Sequence, residues 1–225
     1  LITFEPHPRR FFRPQDPPFN LTPFRSKAHY LAPLGVDLLV LLNFDAQLSQ
    51  KSAELFTQEV LADAIAASQV VVGYDFVFGH GRKGNVALLK KLSAMHGFEL
   101  LVIEPVASAD GGVYSSTRVR EYLAGGKPGH AAALLGRPFE IEGRVILGDN
   151  RGEKIGFPTA NIGLDDYMHP AFGVYAVRAS EAQGEELVWR NGVANLGVRP
   201  TVEGATPFLE VHLFDFAGDL YGKQL

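Results

Sequence analysis

The sequence predicts two domains of different class, an α/β domain with a parallel sheet followed by a small antiparallel β domain. Three observations predict it. Up to about residue 136, short apolar runs of strand length alternate with stretches whose apolar residues recur at helical spacing. Beyond Gly136-Arg-Pro138, strand-like alternation is broken only by Gly, Asn and Pro, with no long helix between. The charge balance also shifts: residues 1–136 hold 13 basic and 12 acidic groups, and residues 137–225 hold 8 and 13.

In the first segment, residues 1–4, 38–42, 70–72 and 100–103 read as buried strands. Between them, residues 53–67 place Phe56, Val60, Leu61, Ala64 and Ile65 on one helical face, and residues 86–95 do the same with Val86, Leu89 and Leu92. This βαβ order predicts a parallel sheet with helices on both faces and ligand crevices at the carboxyl ends of its strands. Pro17-Pro18 and the polar residues near them predict a mobile loop. Gly125-Gly-Lys-Pro128 predicts a turn leading into a short helix at 129–135. Residues 139–146, 174–177, 188–196 and 208–214 then read as the strands of a small barrel. The front lacks an initiating Met and a basic, apolar leader pattern, so the chain reads as a fragment cut at its start, and Tyr221-Gly-Lys-Gln-Leu225 reads as stopping short of a capping helix.

The length of 225 residues leaves room for two cores. With 46% hydrophobic and 20% charged residues and a mean hydropathy of +0.03, neither a disordered chain nor a membrane protein fits. The absence of cysteine excludes disulfide frameworks and thiolate metal sites and is compatible with a reducing compartment, so a cytoplasmic location is expected. A formal charge of −4 argues against nucleic acid as a partner, which needs a basic surface. Anionic small molecules remain open.

The stretch Gly148-Asp-Asn-Arg-Gly152-Glu-Lys-Ile-Gly156-Phe-Pro-Thr159-Ala-Asn161 sets three glycines four apart before a Thr and an Asn. Glycine lets backbone N–H groups converge on an anion without Cβ obstruction. Thr159 and Asn161 offer hard oxygen ligands suited to magnesium, two residues apart in an extended segment. A nucleotide-phosphate site follows, against the plainer reading of a glycine-rich turn with capping side chains. In Phe208-Leu-Glu-Val-His-Leu213, the apolar residues face one way and Glu210 and His212 the other. A strand-mounted carboxylate is a well-directed general base for a hydroxyl, although a lone acid on a strand is more often a solvated outer face. His212 reads as structural, and Asp215 and Asp219 as turn residues.

Together with Gly173-Val-Tyr175 and Ala194-Asn-Leu-Gly-Val-Arg-Pro-Thr201, these stretches resemble the riboflavin kinase module of the bacterial bifunctional riboflavin kinase/FAD synthetase family. The resemblance spans nearly all of residues 137–225. It implies a six-stranded barrel with ATP and Mg²⁺, Gly148, Gly152 and Gly156 over the phosphates, Thr159 and Asn161 at metal and phosphate, and Glu210 as the base on the riboflavin 5′-hydroxyl. Phosphoryl transfer depends chiefly on positioning and charge neutralisation, which such a set supplies.

The front segment resembles the same family's FMN adenylyltransferase module, a Rossmann-like nucleotidyltransferase, through Thr3-Phe-Glu-Pro-His-Pro8, Val70-Val-Val-Gly-Tyr-Asp-Phe-Val-Phe-Gly79 and Ser115-Ser-Thr-Arg-Val-Arg120. Ser115, Ser116 and Thr117 present hydroxyls and free N–H groups at a helix start, with Arg120 a turn later to bridge phosphates. A simple N-cap with a surface arginine is the plainer account. Asp75, Phe76 and Phe78 lie just past a strand's carboxyl end, where a flavin is expected, and core packing is the competing role for Phe76. His7, fixed between Pro6 and Pro8, is a further nucleotide-site candidate. The family's His-x-Gly-His signature precedes the Thr3 strand and is not in this sequence. The resemblance implies domains at 1–136 and 137–225, with riboflavin, FMN, FAD, ATP and ADP as small-molecule partners, no membrane partner, and room for self-association.

Other readings compete. Gly79-His-Gly81-Arg-Lys-Gly84, with Glu104 twenty residues on, imitates the dinucleotide fingerprint of an NAD-dependent oxidoreductase. Against it, Tyr74-Asp75 separates these glycines from the apolar run ending at Val72, where a true fingerprint follows its strand directly. A kinase with an inactive front domain and a non-enzymatic flavin-binding module complete the alternatives.

Overall fold

The computed structural model describes residues 1–109, 111–146, 159–164, 166–181, 187–201 and 204–225, with the side chains of 199–201, 204 and 205 outside that description. Gly148, Gly152 and Gly156 therefore lie outside the described residues. The chain forms two compact units that interleave in sequence: Leu1–Asp16 with Ala32–Tyr114, and Pro17–Leu31 with Ser115–Leu225.

In the first unit, β1 (Ile2–Glu5) leads into the short helix α1 (Pro8–Phe12). The chain returns after residue 31 through β2 (Val40–Asn43), which pairs parallel with β1 with Ile2 opposite Val40. Phe4, Phe11, Phe12 and Phe44 pack edge to face at the ends of these elements, with Phe12 largely exposed. The helices α3 (Ala46–Ser49) and α4 (Ala53–Leu55) follow, each started by a side-chain cap, Asp45 to the Leu48 amide and Ser52 to the Leu55 amide.

From α4 the helix widens into π-type winding over Phe56–Ala64, where the Ile65 amide reaches back to the Val60 carbonyl. The wider turn shifts the buried face. Phe56, Thr57 and Leu61 stay inside, but Ala64 and Ile65, expected on the same face, are exposed.

Next, β3 (Gln69–Gly73) pairs parallel with a strand that arrives later in the chain. Before that come a small antiparallel pair, β4 (Val77–Phe78) with β5 (Gly84–Asn85), and α5 (Val86–His96), which is capped by Asn85 and ended by Gly97 in the left-handed conformation. The awaited partner is β6 (Glu99–Ile103). One core joins Phe56, Leu61, Phe78 and Leu89 to Val70, Val72 and Leu100. Helices therefore cover one side of these strands. The expectation of strands buried on both faces is corrected, since Leu41, Val71, Leu101 and Ile103 turn outward and are 42–55% exposed.

In the second unit, α2 (Phe24–Leu31) accompanies α6 (Ser116–Ala124) and α7 (Pro128–Leu135). Residues before α2, expected as a mobile loop, are tied down instead: Asn20 exchanges backbone hydrogen bonds with Asp166 and Met168, and the Phe19 carbonyl accepts from Arg120. The short β7 (Val145–Ile146) and β8 (Ala160–Ile162) precede the long strands β9 (Gly173–Ala179), β10 (Arg190–Thr201) and β11 (Gly204–Leu213). Among the described residues they form one antiparallel sheet ordered β7-β8-β11-β10-β9. Five strands in an open order stand where a closed six-stranded barrel was expected. The tail adds ladder-like bonds beyond β7, with Gly143 and Leu225 exchanging N–H and carbonyl. Val145, Ile162, Leu196, Leu209, Val211 and Leu213 build the sheet's core.

Candidate functional site

Alternation along each strand fixes which side chains leave that core. Leu209, Val211 and Leu213 are buried in it, so Glu210 projects from the opposite face, half-buried. Ala160 and Ile162 are likewise buried and place Asn161 on the face with Glu210, where Asn161 is only 7% exposed. Register decides the rest. Glu210 stands directly across from Asn161 on β8 and from Asn195 on β10. Directly opposed residues on a sheet carry Cβ atoms about 5 Å apart. The carboxylate predicted as base and the carboxamide predicted at the metal are therefore neighbours.

The row extends across the sheet, Ile146 opposite Asn161 at one end and Val174 opposite Asn195 at the other, both more than half exposed. A polar centre three strands wide is thus bounded by apolar ends. Two pairs along, on the same face, Phe208 stands opposite Gly197, and a Cβ on Gly197 would come within 3.0 Å of the Phe208 ring. Asn195 escaped the sequence reading because its strand register is a tertiary fact. Only the alternation around it, with Ala194 and Leu196 buried, was a legible signal.

Thr159 immediately precedes β8, so no ladder position dictates its direction. It borders a cavity of roughly 270 Å³ with Ala160, Val211, Phe216, Leu220 and Tyr221. This cavity lies on the core side of the strands, an apolar recess beside the Thr that the sequence reading did not foresee. Among the described residues, no group of three or more His, Asp or Glu is placed to hold a metal. Thr159 and Asn161 are neutral oxygen donors, which suit a hard cation that is carried mainly by phosphates.

The candidates from the front segment divide between the units. In the first unit, exposed His7 caps α1, its Nδ1 accepting from the Arg9 amide at 3.1 Å, which leaves the ring proton of the neutral form on Nε2. Asp75 is exposed, whereas Phe78 is 8% exposed within the core and Phe76 stacks on it at 5.2 Å. Core packing thus claims Phe78, and Phe76 bridges between it and the surface. In the second unit, Ser115 caps α6 by accepting from the Arg118 amide at 3.3 Å, while Ser116 and Thr117 are exposed. Arg120 donates to the Phe19 carbonyl at 2.8 Å and lies over the Phe19 ring.

The dinucleotide-like glycines have a packing explanation. They join two short antiparallel strands through a 3₁₀ turn at His80–Arg82, where a fingerprint needs a strand-to-helix turn. A Cβ on Gly84 would lie 2.7 Å from the Ala53 Cβ and 2.8 Å from the Phe78 ring.

Comparison with known proteins divides the chain in sequence. The FAD synthetase family model matches residues 1–118 and the riboflavin kinase family model residues 135–225. The chain is 42% identical over 226 residues to a protein named bifunctional riboflavin kinase/FMN adenylyltransferase from Escherichia coli (strain K12), covering all of this chain and 71% of that one. It is 40% identical to the protein of the same name from Haemophilus influenzae, covering all of this chain and 72% of that one. A solved structure from Streptococcus pneumoniae, described as a macrolide-efflux protein, is similar with a TM-score of 0.81 at 31% identity, over 99% of this chain and 71% of its own. No helix among the described residues is long and apolar enough to cross a membrane.

Proposed function

Because the chain belongs to the bacterial bifunctional riboflavin kinase/FMN adenylyltransferase family, we propose that the polar row on its antiparallel sheet is the phosphoryl-transfer centre of the kinase half. The protein is a transferase of flavin biosynthesis that makes FMN from riboflavin and FAD from FMN, each with ATP. The observation that carries the site assignment is the register that sets Glu210 beside Asn161.

In this reading Glu210 accepts the proton of the riboflavin 5′-hydroxyl as its oxygen attacks the γ-phosphorus of ATP, and the bond to the ADP oxygen breaks. Mounting on a central strand holds the carboxylate in one direction, which favours the bound hydroxyl over water. Asn161 and Thr159 would hold the Mg²⁺ that accompanies the nucleotide, and that ion would supply charge neutralisation at the phosphates. Gly148, Gly152 and Gly156 are assigned to the triphosphate from the sequence pattern. The tail residues that pair with Gly143–Val145 act as the sixth strand of a barrel.

For adenylylation each unit is read by itself: in the second, Ser115, Ser116, Thr117 and Arg120 are assigned to a phosphate, and in the first, His7 is assigned to a nucleotide and Asp75 and Phe76 to a flavin ring, with Phe78 packing against Phe76. The two reactions need separate sites, because one attacks a γ-phosphate with a hydroxyl and the other an α-phosphate with a phosphate monoester. Cytoplasmic operation fits a chain without cysteine.

Incubating the full chain with riboflavin, ATP and magnesium and separating the flavins over time tests this. FMN is expected first, then FAD. FMN alone would reduce the reading to a kinase with an inactive front domain, and neither product would remove it. Glu210→Gln is expected to lower FMN formation by about 10²–10⁴-fold, the usual weight of a general base, with riboflavin binding retained.

A further inference from the structure

We infer that Asn195 orients the polyol tail of the flavin by hydrogen-bonding one of its secondary hydroxyls, so that the terminal hydroxyl is delivered to Glu210. The inference rests on the kinase reading of Glu210 and deepens it by naming the residue that selects the acceptor. Its basis is the order of side chains across the sheet.

Glu210 has two immediate cross-strand neighbours, Asn161 on β8 and Asn195 on β10. They are not equivalent. Asn161 is almost fully buried and shares β8 with the residues that follow the glycine-rich stretch, so its side of Glu210 is the donor side. Asn195 is exposed, on the far side of Glu210 from that strand. A base that takes a proton from an acceptor hydroxyl must stand between donor and acceptor, which leaves the β10 side for the acceptor's tail.

The surroundings suit a molecule that is polar at one end and a flat apolar ring at the other. Beyond Asn195 the row ends in Val174, 70% exposed. Along the strands, Gly197 carries no side chain and Phe208 occupies the space above it. The Asn195 Oδ1 lies 4.0 Å from where a Gly197 Cβ would stand, so the carboxamide oxygen is turned toward that floor. A carboxamide both donates and accepts, which matches a hydroxyl that needs both partners. Adjacent strands are about 4.8 Å apart, a spacing comparable with that between alternate hydroxyls of an extended polyol. One hydroxyl at Asn195 therefore places the terminal one at Glu210.

The test compares riboflavin with a flavin bearing an ω-hydroxypentyl tail, which keeps the terminal hydroxyl and lacks the secondary ones. Initial rates of phosphorylation by the full chain are measured for the parent, Asn195→Ala and Asn195→Asp, with melting temperatures recorded alongside. The expected result is a loss of about tenfold in kcat/KM for riboflavin, the worth of one neutral hydrogen bond, with no loss for the hydroxypentyl flavin and an unchanged melting temperature. Asn195→Asp sets a like charge beside Glu210 and is expected to slow both flavins, so the assignment is read on Asn195→Ala alone. Equal losses on both flavins, or none on either, overturn the assignment. Glu210→Gln separates the two claims: it should lower turnover of both flavins by about 10²–10⁴-fold, and full activity in that variant sinks the base assignment, while a selective loss in Asn195→Ala would still show that Asn195 holds the tail.

Discussion

Gly84 shows how a single position answers a functional question. Its missing side chain makes room for Ala53 and Phe78, so the demand for glycine comes from packing and not from a phosphate. Gly84→Ala is expected to destabilise the protein by about 1–3 kcal/mol, the usual cost of overpacking. Gly129, inside α7 with nothing near its would-be Cβ, is the contrast. Gly129→Ala is expected to stabilise by about 0.5–1 kcal/mol through helix propensity and a less flexible unfolded chain. Urea unfolding of both variants measures the difference in sign. Alternation alone set Glu210 and Asn161 opposite their buried neighbours, and the role of Glu210 rested on the resemblance to the family. What no residue type could tell was that they are partners, because that depends on which two strands meet.

At the scale of elements, α2 is held by phenols. The Tyr30 hydroxyl donates to Glu140 at 2.6 Å beneath the Arg137 guanidinium, Ser26 pairs with the Tyr167 hydroxyl, and that same oxygen accepts from the Glu142 amide at 3.1 Å. Arg25 adds an ion pair with Glu142. Burial is the main cause that raises both phenols above their ordinary value of 10.0, with the hydrogen bond to Glu140 adding to it at Tyr30. The folded state therefore keeps its protons where the unfolded chain releases them. Stability from this pair is fully present below pH 10 and is lost as pH rises beyond it. The double variant Tyr30→Phe, Tyr167→Phe is expected to melt lower at pH 8 and to lose less on going from pH 8 to pH 11. A parent with no steeper alkaline loss than the variant would refute this. Pro17-Pro18 pointed to a loop; the partners that anchor the following helix lie more than a hundred residues away, outside any local pattern.

For the whole molecule, the interleaving of the two units matters more than a boundary. Residues 17–31 pack in the unit of the antiparallel sheet although the chain on either side of them belongs to the other. A fragment of residues 137–225 would lack Ser26 and Tyr30 as well as α6 and α7. The protein's single tryptophan, Trp189, stands at the entry to β10 and reports on this unit alone. Its fluorescence in the 137–225 fragment is expected to change at a lower temperature than in the full chain. Equal midpoints would show that the sheet is stable without the front segment's contribution.

Periodicity and turn chemistry by themselves determined the two classes of sheet, the strands near 1–4, 38–42, 70–72 and 100–103, and the residue types able to bind phosphate and accept a proton. These follow from local rules, in which side chains alternate on a strand and recur every few residues on a helix. Only tertiary structure decided the winding of the helix after Ala53, the bare outer face of the parallel strands, the seat of residues 17–31, and the line of Asn161, Glu210 and Asn195 across three strands. Each of those depends on which distant segments lie side by side, and backbone pairing leaves no periodic trace of its partner in either strand.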